Sequence, residues 1–161
     1  VGGGVGVLMT EILAAHPGMC GVVADLPSVV WKAERTKWKR ELANRCQLAA
    51  CDFFQKIPSG SDAFIMSNIL HDWPDEQCLT ILKNCHKAMK PDSRLLVVEM
   101  VITPGNESSV AKLLDLEMLV MTGGRERTET ELRDLFDSAG FELQRIIPTA
   151  EGICIFEVIR D

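Results

Sequence analysis

Short apolar runs alternate with stretches of helical pattern along this chain, and that alternation restricts the fold more than any other feature. The runs lie at 20–24, closing on Asp25, and at 46–50, 63–66 and 94–100. Between them, 7–15 carries apolar residues at helical spacing and is closed by His16, Pro17 and Gly18. Pro27 suits the first turn of a second helix. The basic stretch 31–45, with Trp31 and Trp38 two turns apart, is predicted to be helical. Asp75 and Glu76 favour the positive end of a helix reaching about Met89. A helix over 110–122 is ended by Gly123 and Gly124, and Thr128 with Glu131 is a capping box for a helix that stops at Gly140. The last two apolar runs, 141–147 and 153–159, have no helix between them and are expected as an antiparallel hairpin at one edge. Strand–helix alternation of this kind gives an α/β fold, a mostly parallel sheet covered on both faces.

With 161 residues, 47% of them hydrophobic and 25% charged, the chain has enough apolar surface for a folded core and is read as one domain, 1–161. A formal net charge of −6 disfavours a nucleic-acid partner. No apolar run nears the ~20 residues that a membrane-spanning helix needs, and no signal peptide is visible. The six cysteines form no C-x-x-C pair, which fits reduced thiols in the cytoplasm better than a zinc site or a disulfide framework. The chain opens at Val1 directly on a glycine cluster of a type that normally follows a strand, so a first strand is expected to be missing.

Gly2-Gly3-Gly4-Val5-Gly6 is a tight turn at the head of a helix, where amides without an intervening Cβ can approach a ligand. The dinucleotide pattern G-x-G-x-x-G fails, because Met9 stands where a pattern starting at Gly4 needs its third glycine. G-x-G-x-G at 2, 4 and 6 fits instead, and an ordinary strand-to-helix turn stays open as the alternative. Asp25, 19 residues after Gly6, is placed either to accept from both hydroxyls of a ribose or to be a solvated turn aspartate. Asp52 can accept from an adenine amino group, with Phe53 offering its face to the ring; core packing is the other reading of Phe53. His71 is the candidate general base, since an imidazole titrates near neutral pH and can take a proton from a hydroxyl. Glu99 and Glu126 are the acids available to its second ring nitrogen. His16 and His86 are read as surface residues.

Taken in order and spacing, Gly2–Gly6, Asp25-Leu26-Pro27, Asp52-Phe53-Phe54, Leu70-His71-Asp72-Trp73 and Gly124-Arg125-Glu126-Arg127-Thr128 resemble the family of caffeic acid, isoflavone and acetylserotonin O-methyltransferases. The resemblance covers essentially the whole chain and implies a Rossmann-like methyltransferase fold that uses S-adenosylmethionine. It implies that Gly2, Gly4 and Asp25 hold the methionine and ribose parts of that cofactor, and that Asp52, Phe53 and Ser67 lie near adenine. His71 would be the base, flanked by Glu99 and Glu126, with Asp72, Met118 and Met121 at a small-molecule acceptor and no metal. The family also implies an N-terminal helical dimerisation domain, outside this chain, and a homodimeric parent. Three departures stand out: Cys51 replaces a frequent Gly, Asp92-Ser93 replace Gly-Gly, and Ser67 stands where some plant members have Lys.

The reaction so implied is methyl transfer to a phenolic or similar hydroxyl. A nicotinamide-dependent oxidoreductase is the second enzyme reading, weakened by the missing glycine and by the absence of any Tyr for a Tyr-Lys pair. A cofactor-binding fragment without activity is the third.

Overall fold

The computed structural model describes residues 1–36, 40–149 and 152–161. They form two compact units, Val1–Pro58 and Ser59–Asp161. The helix expected over 31–45, with Trp31 and Trp38 two turns apart, lies partly outside the described residues.

In the first unit, helix α1 (Val7–Ala15) leads into strand β1 (Gly21–Asp25), helix α2 (Pro27–Ala33) and strand β2 (Cys46–Ala50). β1 and β2 pair in parallel, with Gly21 opposite Cys46 and Asp25 opposite Ala50. Leu13, Val23 and Cys46 form the buried centre, with Met9, Leu42 and Leu48 against it. Pro27 opens α2 as expected, but the helix does not run from 31 to 45. It ends at Ala33, whose carbonyl accepts the Thr36 hydroxyl at 2.6 Å, a local bond that competes with helix continuation. Arg45 turns back on the end of α1, its Nη1 donating to the carbonyls of Leu13 at 3.0 Å and Met19 at 3.2 Å.

The second unit holds β3 (Ala63–Ser67), a 3₁₀ turn (Leu70–Asp72), α3 (Asp75–Ala88), β4 (Arg94–Met100), α4 (Val110–Met121), α5 (Glu129–Ser138), β5 (Phe141–Pro148) and β6 (Ile153–Arg160). Its sheet has the order β3-β4-β6-β5. β3 and β4 are parallel, while β6 runs antiparallel to both β4 and β5, so the expected C-terminal hairpin is formed with β5 at the edge. Thr128 and Glu131 make the reciprocal capping box of α5. Cys78, Ile81, Leu82 and Cys85 of α3, and Leu132, Leu135 and Phe136 of α5, are buried.

Residues of β4 alternate between exposed or half-buried and buried, and the buried set is Leu95, Val97 and Glu99. The two-residue period of a strand thus places a carboxylate in line with two core residues. Among the described residues β1 pairs only with β2, and β3 only with β4. His86, read as a surface residue, is half-buried: its ring packs edge-on against Phe141 at 5.3 Å, and Nε2 lies 3.6 Å from Asp161. No disulfide joins any of the six cysteines; Cys46, Cys78 and Cys85 are buried and Cys20 is exposed. Among the described residues no helix is long and apolar enough to cross a membrane.

Candidate active site

The glycine turn is built on β1. Gly2, Gly4 and Gly6 all have positive φ, at 62°, 56° and 90°. Gly3 does not, but a Cβ on it would lie 2.8 Å from Val23 Cγ1, so it lets the turn settle on the strand. Over Gly4 a Cβ would meet nothing within 4 Å. The turn therefore offers a bare, open amide ledge at the head of α1. The carboxylate of Asp25 braces it, accepting from Gly4 N–H at 2.8 Å and from Leu26 N–H at 2.7 Å. Each oxygen has accepted once, which leaves two lone-pair positions for a diol. Asp52 is used locally: it accepts from Phe54 N–H at 2.9 Å and Gln55 Nε2 at 3.1 Å. Phe53 packs edge-on against Phe54, with centroids 5.0 Å apart.

In the second unit, Asn68 has a φ of 54°, unusual for a residue with a side chain, and the chain then enters the 3₁₀ turn that carries His71. His71 Nδ1 lies 3.1 Å from Glu126 Oε1 and 3.9 Å from Glu99 Oε2; Nε2 is 3.7 Å from Asp72 Oδ1. The hydrogen bond to Glu126 is the main reason the imidazole pKa is raised above its ordinary value, against the opposing effect of burial. Glu99 Oε1 accepts from the amides of Ile69 at 3.0 Å and Leu70 at 2.7 Å, so it positions the backbone just before His71. Burial pushes the Glu99 carboxyl up, opposed by His71 and by those amides. Oε2 of Glu99 and Oε2 of Glu126 are buried without a hydrogen-bond partner among the described residues. The ligand atoms of His71, Glu99 and Glu126 lie within 4.8 Å of one another, a spacing a cation could bridge. Glu126 is already bonded to the ring and Glu99 to two amides.

His71, Glu99 and Glu126 are thus brought together, with Asp72 beside them. Ser67 ends β3, and Met118 is half-buried on α4 while Met121 is 70% exposed. α4 touches the cluster through Asp115, whose Oδ1 accepts from Glu126 N–H at 2.9 Å. A cleft of about 530 Å³ is lined by Leu119, Ile102, Asp115, Arg125 and Glu126 among others, without His71.

Sequence reasoning missed three supports. Gly124 lies so close to the His71 turn that a Cβ would sit 2.0 Å from the His71 carbonyl oxygen. Arg125 donates its N–H to that oxygen at 2.9 Å. Asp75 accepts from Arg125 and Arg127, whose hydrogen bonds outweigh burial and hold its pKa below the ordinary carboxylate range. The R-E-R-T segment was visible as a motif, but nothing in it says that one guanidinium is buried.

Comparison with known proteins shows the family. Residues 1–142 match the O-methyltransferase domain family. The chain belongs to that family. It is 40% identical over 157 residues to the phenazine O-methyltransferase PhzM of Lysobacter antibioticus, covering 98% of this chain and 46% of that protein. The solved structure of LaPhzM is matched with a TM-score of 0.95 and 39% identity, over 100% of this chain and 48% of that one. The neocarzinostatin-pathway O-methyltransferase NcsB1, solved with S-adenosylmethionine and 2-hydroxy-5-methyl naphthoic acid, is matched at a TM-score of 0.88 and 33% identity, over 99% and 47%. This O-methyltransferase domain therefore has the expected Rossmann-like methyltransferase fold, and it spans about half the length of the relatives it matches.

Proposed function

We propose that residues 1–161 are the cofactor-binding and catalytic domain of an S-adenosylmethionine-dependent enzyme that methylates a hydroxyl, phenolic in character, of a small molecule, with His71 as general base. The observation that carries the reading is the partly buried Glu126–His71 Nδ1 hydrogen bond. It orients the ring, commits Nδ1 to the carboxylate and leaves Nε2 as the nitrogen that takes a proton.

The residues of the glycine turn fit the cofactor. Gly4 is open above its backbone, and Asp25 keeps acceptor capacity for the ribose hydroxyls. Bound S-adenosylmethionine supplies an electrophilic methyl group on a sulfonium. His71 removes the acceptor's proton, and the imidazolium that forms is stabilised by Glu126, with Glu99 at 3.9 Å adding negative charge. Base catalysis of this type contributes roughly 10²- to 10⁴-fold, and the remainder rests on alignment. Asp72, Met118 and Met121 are assigned to the acceptor side, and Asp52, Phe53 and Ser67 to adenine. The parent protein is read as a cytoplasmic homodimer, with a helical dimerisation domain besides this one.

Purified protein is titrated with S-adenosylhomocysteine and, separately, NADH, and the full-length parent is assayed for methyl transfer to a panel of phenols. Binding of the first ligand only, with turnover of a phenol, is expected. His71→Gln should lose several orders of magnitude in turnover at similar cofactor affinity; a loss below about tenfold, less than base catalysis supplies, would remove His71 as the base.

A further inference from the structure

We propose that Arg127 is the positioning residue for His71: its buried guanidinium holds the carbonyls on either side of the imidazole-bearing turn and so keeps the ring against Glu126. Arg127 is 2% exposed. Its Nη1 donates to Leu70 O at 2.8 Å and its Nη2 to Trp73 O at 2.7 Å, one residue before His71 and two after it. Nε and Nη2 donate to Asp75 Oδ1 at 3.0 and 2.8 Å, so the charge is paired. The backbone of Arg127 is itself fixed, its carbonyl accepting from Ile102 N–H at 3.0 Å.

Leu70 O also accepts from Trp73 N–H at 3.2 Å, and the Cys78 thiol donates to the Leu70 and Trp73 carbonyls at 3.2 and 3.3 Å. A thiol is a weak donor, and burial pushes this one up to about 11. Reaching two carbonyls and a carboxylate at once needs a planar fork, which Lys does not have. A buried ion pair is seldom the most stable filling for a site, and well-packed apolar side chains often match it. What the guanidinium adds here is a fixed place for the turn. Glu126 adjoins Arg127 in sequence, so the same short segment grips the ring and the backbone that bears it.

The inference rests on the base role of His71 for its effect on turnover, but its test does not. The histidine imidazoles of the protein are isotope-labelled, the His71 signal is assigned from its loss in His71→Gln, and its titration is followed by NMR. Glu126, Glu99 and Asp72 face the ring, and all of them favour the imidazolium. Arg127→Met is expected to shift the His71 midpoint to lower pH, as the ring drifts from Glu126. Arg127→Lys should shift it by less. An unmoved His71 midpoint in folded Arg127→Met overturns the proposal. If that variant does not fold, Asp75→Ala takes its place, since Asp75 is partly exposed and anchors the guanidinium. A lower midpoint is expected there too, and an unmoved one overturns the proposal. Retained turnover in His71→Gln would instead overturn the base assignment and leave the titration result standing.

Discussion

At the scale of single residues, the site depends on which atoms each carboxylate has left to give. Asp25 has used one acceptor position per oxygen on the glycine turn and its own neighbour. Asp25→Ala should therefore weaken S-adenosylmethionine and S-adenosylhomocysteine alike, since both carry the ribose. At roughly 1.5–3 kcal/mol per hydrogen bond to a charged acceptor, calorimetry should read a loss of about tenfold or more for each ligand. Equal affinities would take Asp25 out of the site. Glu126 is hydrogen-bonded to the imidazole proposed as the base. The imidazole pKa is raised chiefly by the Glu126 hydrogen bond, so the acidic limb of the rate profile should lie above the ordinary imidazole range of about 6.5. Glu126→Gln should move that limb to lower pH, because the raising interaction is gone. Linkage gives the matching sign for stability. The protonated pair stabilises the fold fully below the unfolded-state pKa, and that contribution is lost as pH rises through the raised folded value. A limb that stays in place in Glu126→Gln would mean that another group controls it.

At the scale of elements, the His71 turn is held from one side by residues 124–127. Gly124 is the tightest point, with the His71 carbonyl 2.0 Å from where a Cβ would stand, on backbone rather than a movable side chain. Gly124→Ala should cost at least about 1–3 kcal/mol, the usual range for overpacking, and a thermal melt that matches the parent would contradict the close approach. The elements themselves were legible in the sequence: α1, the opening of α2 at Pro27, the capping box of α5 and the β5–β6 hairpin all follow from local spacing and cap chemistry. The break after Ala33 was not, because Thr36 takes a carbonyl that propensity assigns to the helix. For the site, period and strand ends pointed to Asp25, His71 and Glu99. Arg127 and Asp75 were out of reach, since their pairing joins residues 52 apart in sequence and leaves no periodic trace. His86 was misjudged for the same reason, its cover coming from Phe141 and Asp161.

At the scale of the whole molecule, the two units are unequal. The first has a two-stranded sheet and a small buried centre, and the second a four-stranded sheet with helices α3 and α5 contributing to its core. A two-stranded ribbon is marginal by itself. Hydrogen exchange should therefore run faster for the amides of β1 and β2 than for those of β4 and β6. Equal protection would show that the first unit is as stable as the second. The division also has a genetic meaning. Gly2, Gly4, Asp25, Asp52 and Phe53 are encoded ahead of the boundary at Pro58, and His71, Glu99, Glu126 and Arg127 after it. A crossover between two homologous genes at that boundary would exchange most of the residues proposed for the cofactor, Ser67 apart, while leaving both the glycine turn and the His71 cluster in one piece. Chimeras joined between codons 58 and 59 would thus test whether affinity for S-adenosylhomocysteine and the titration of His71 are inherited as separate traits.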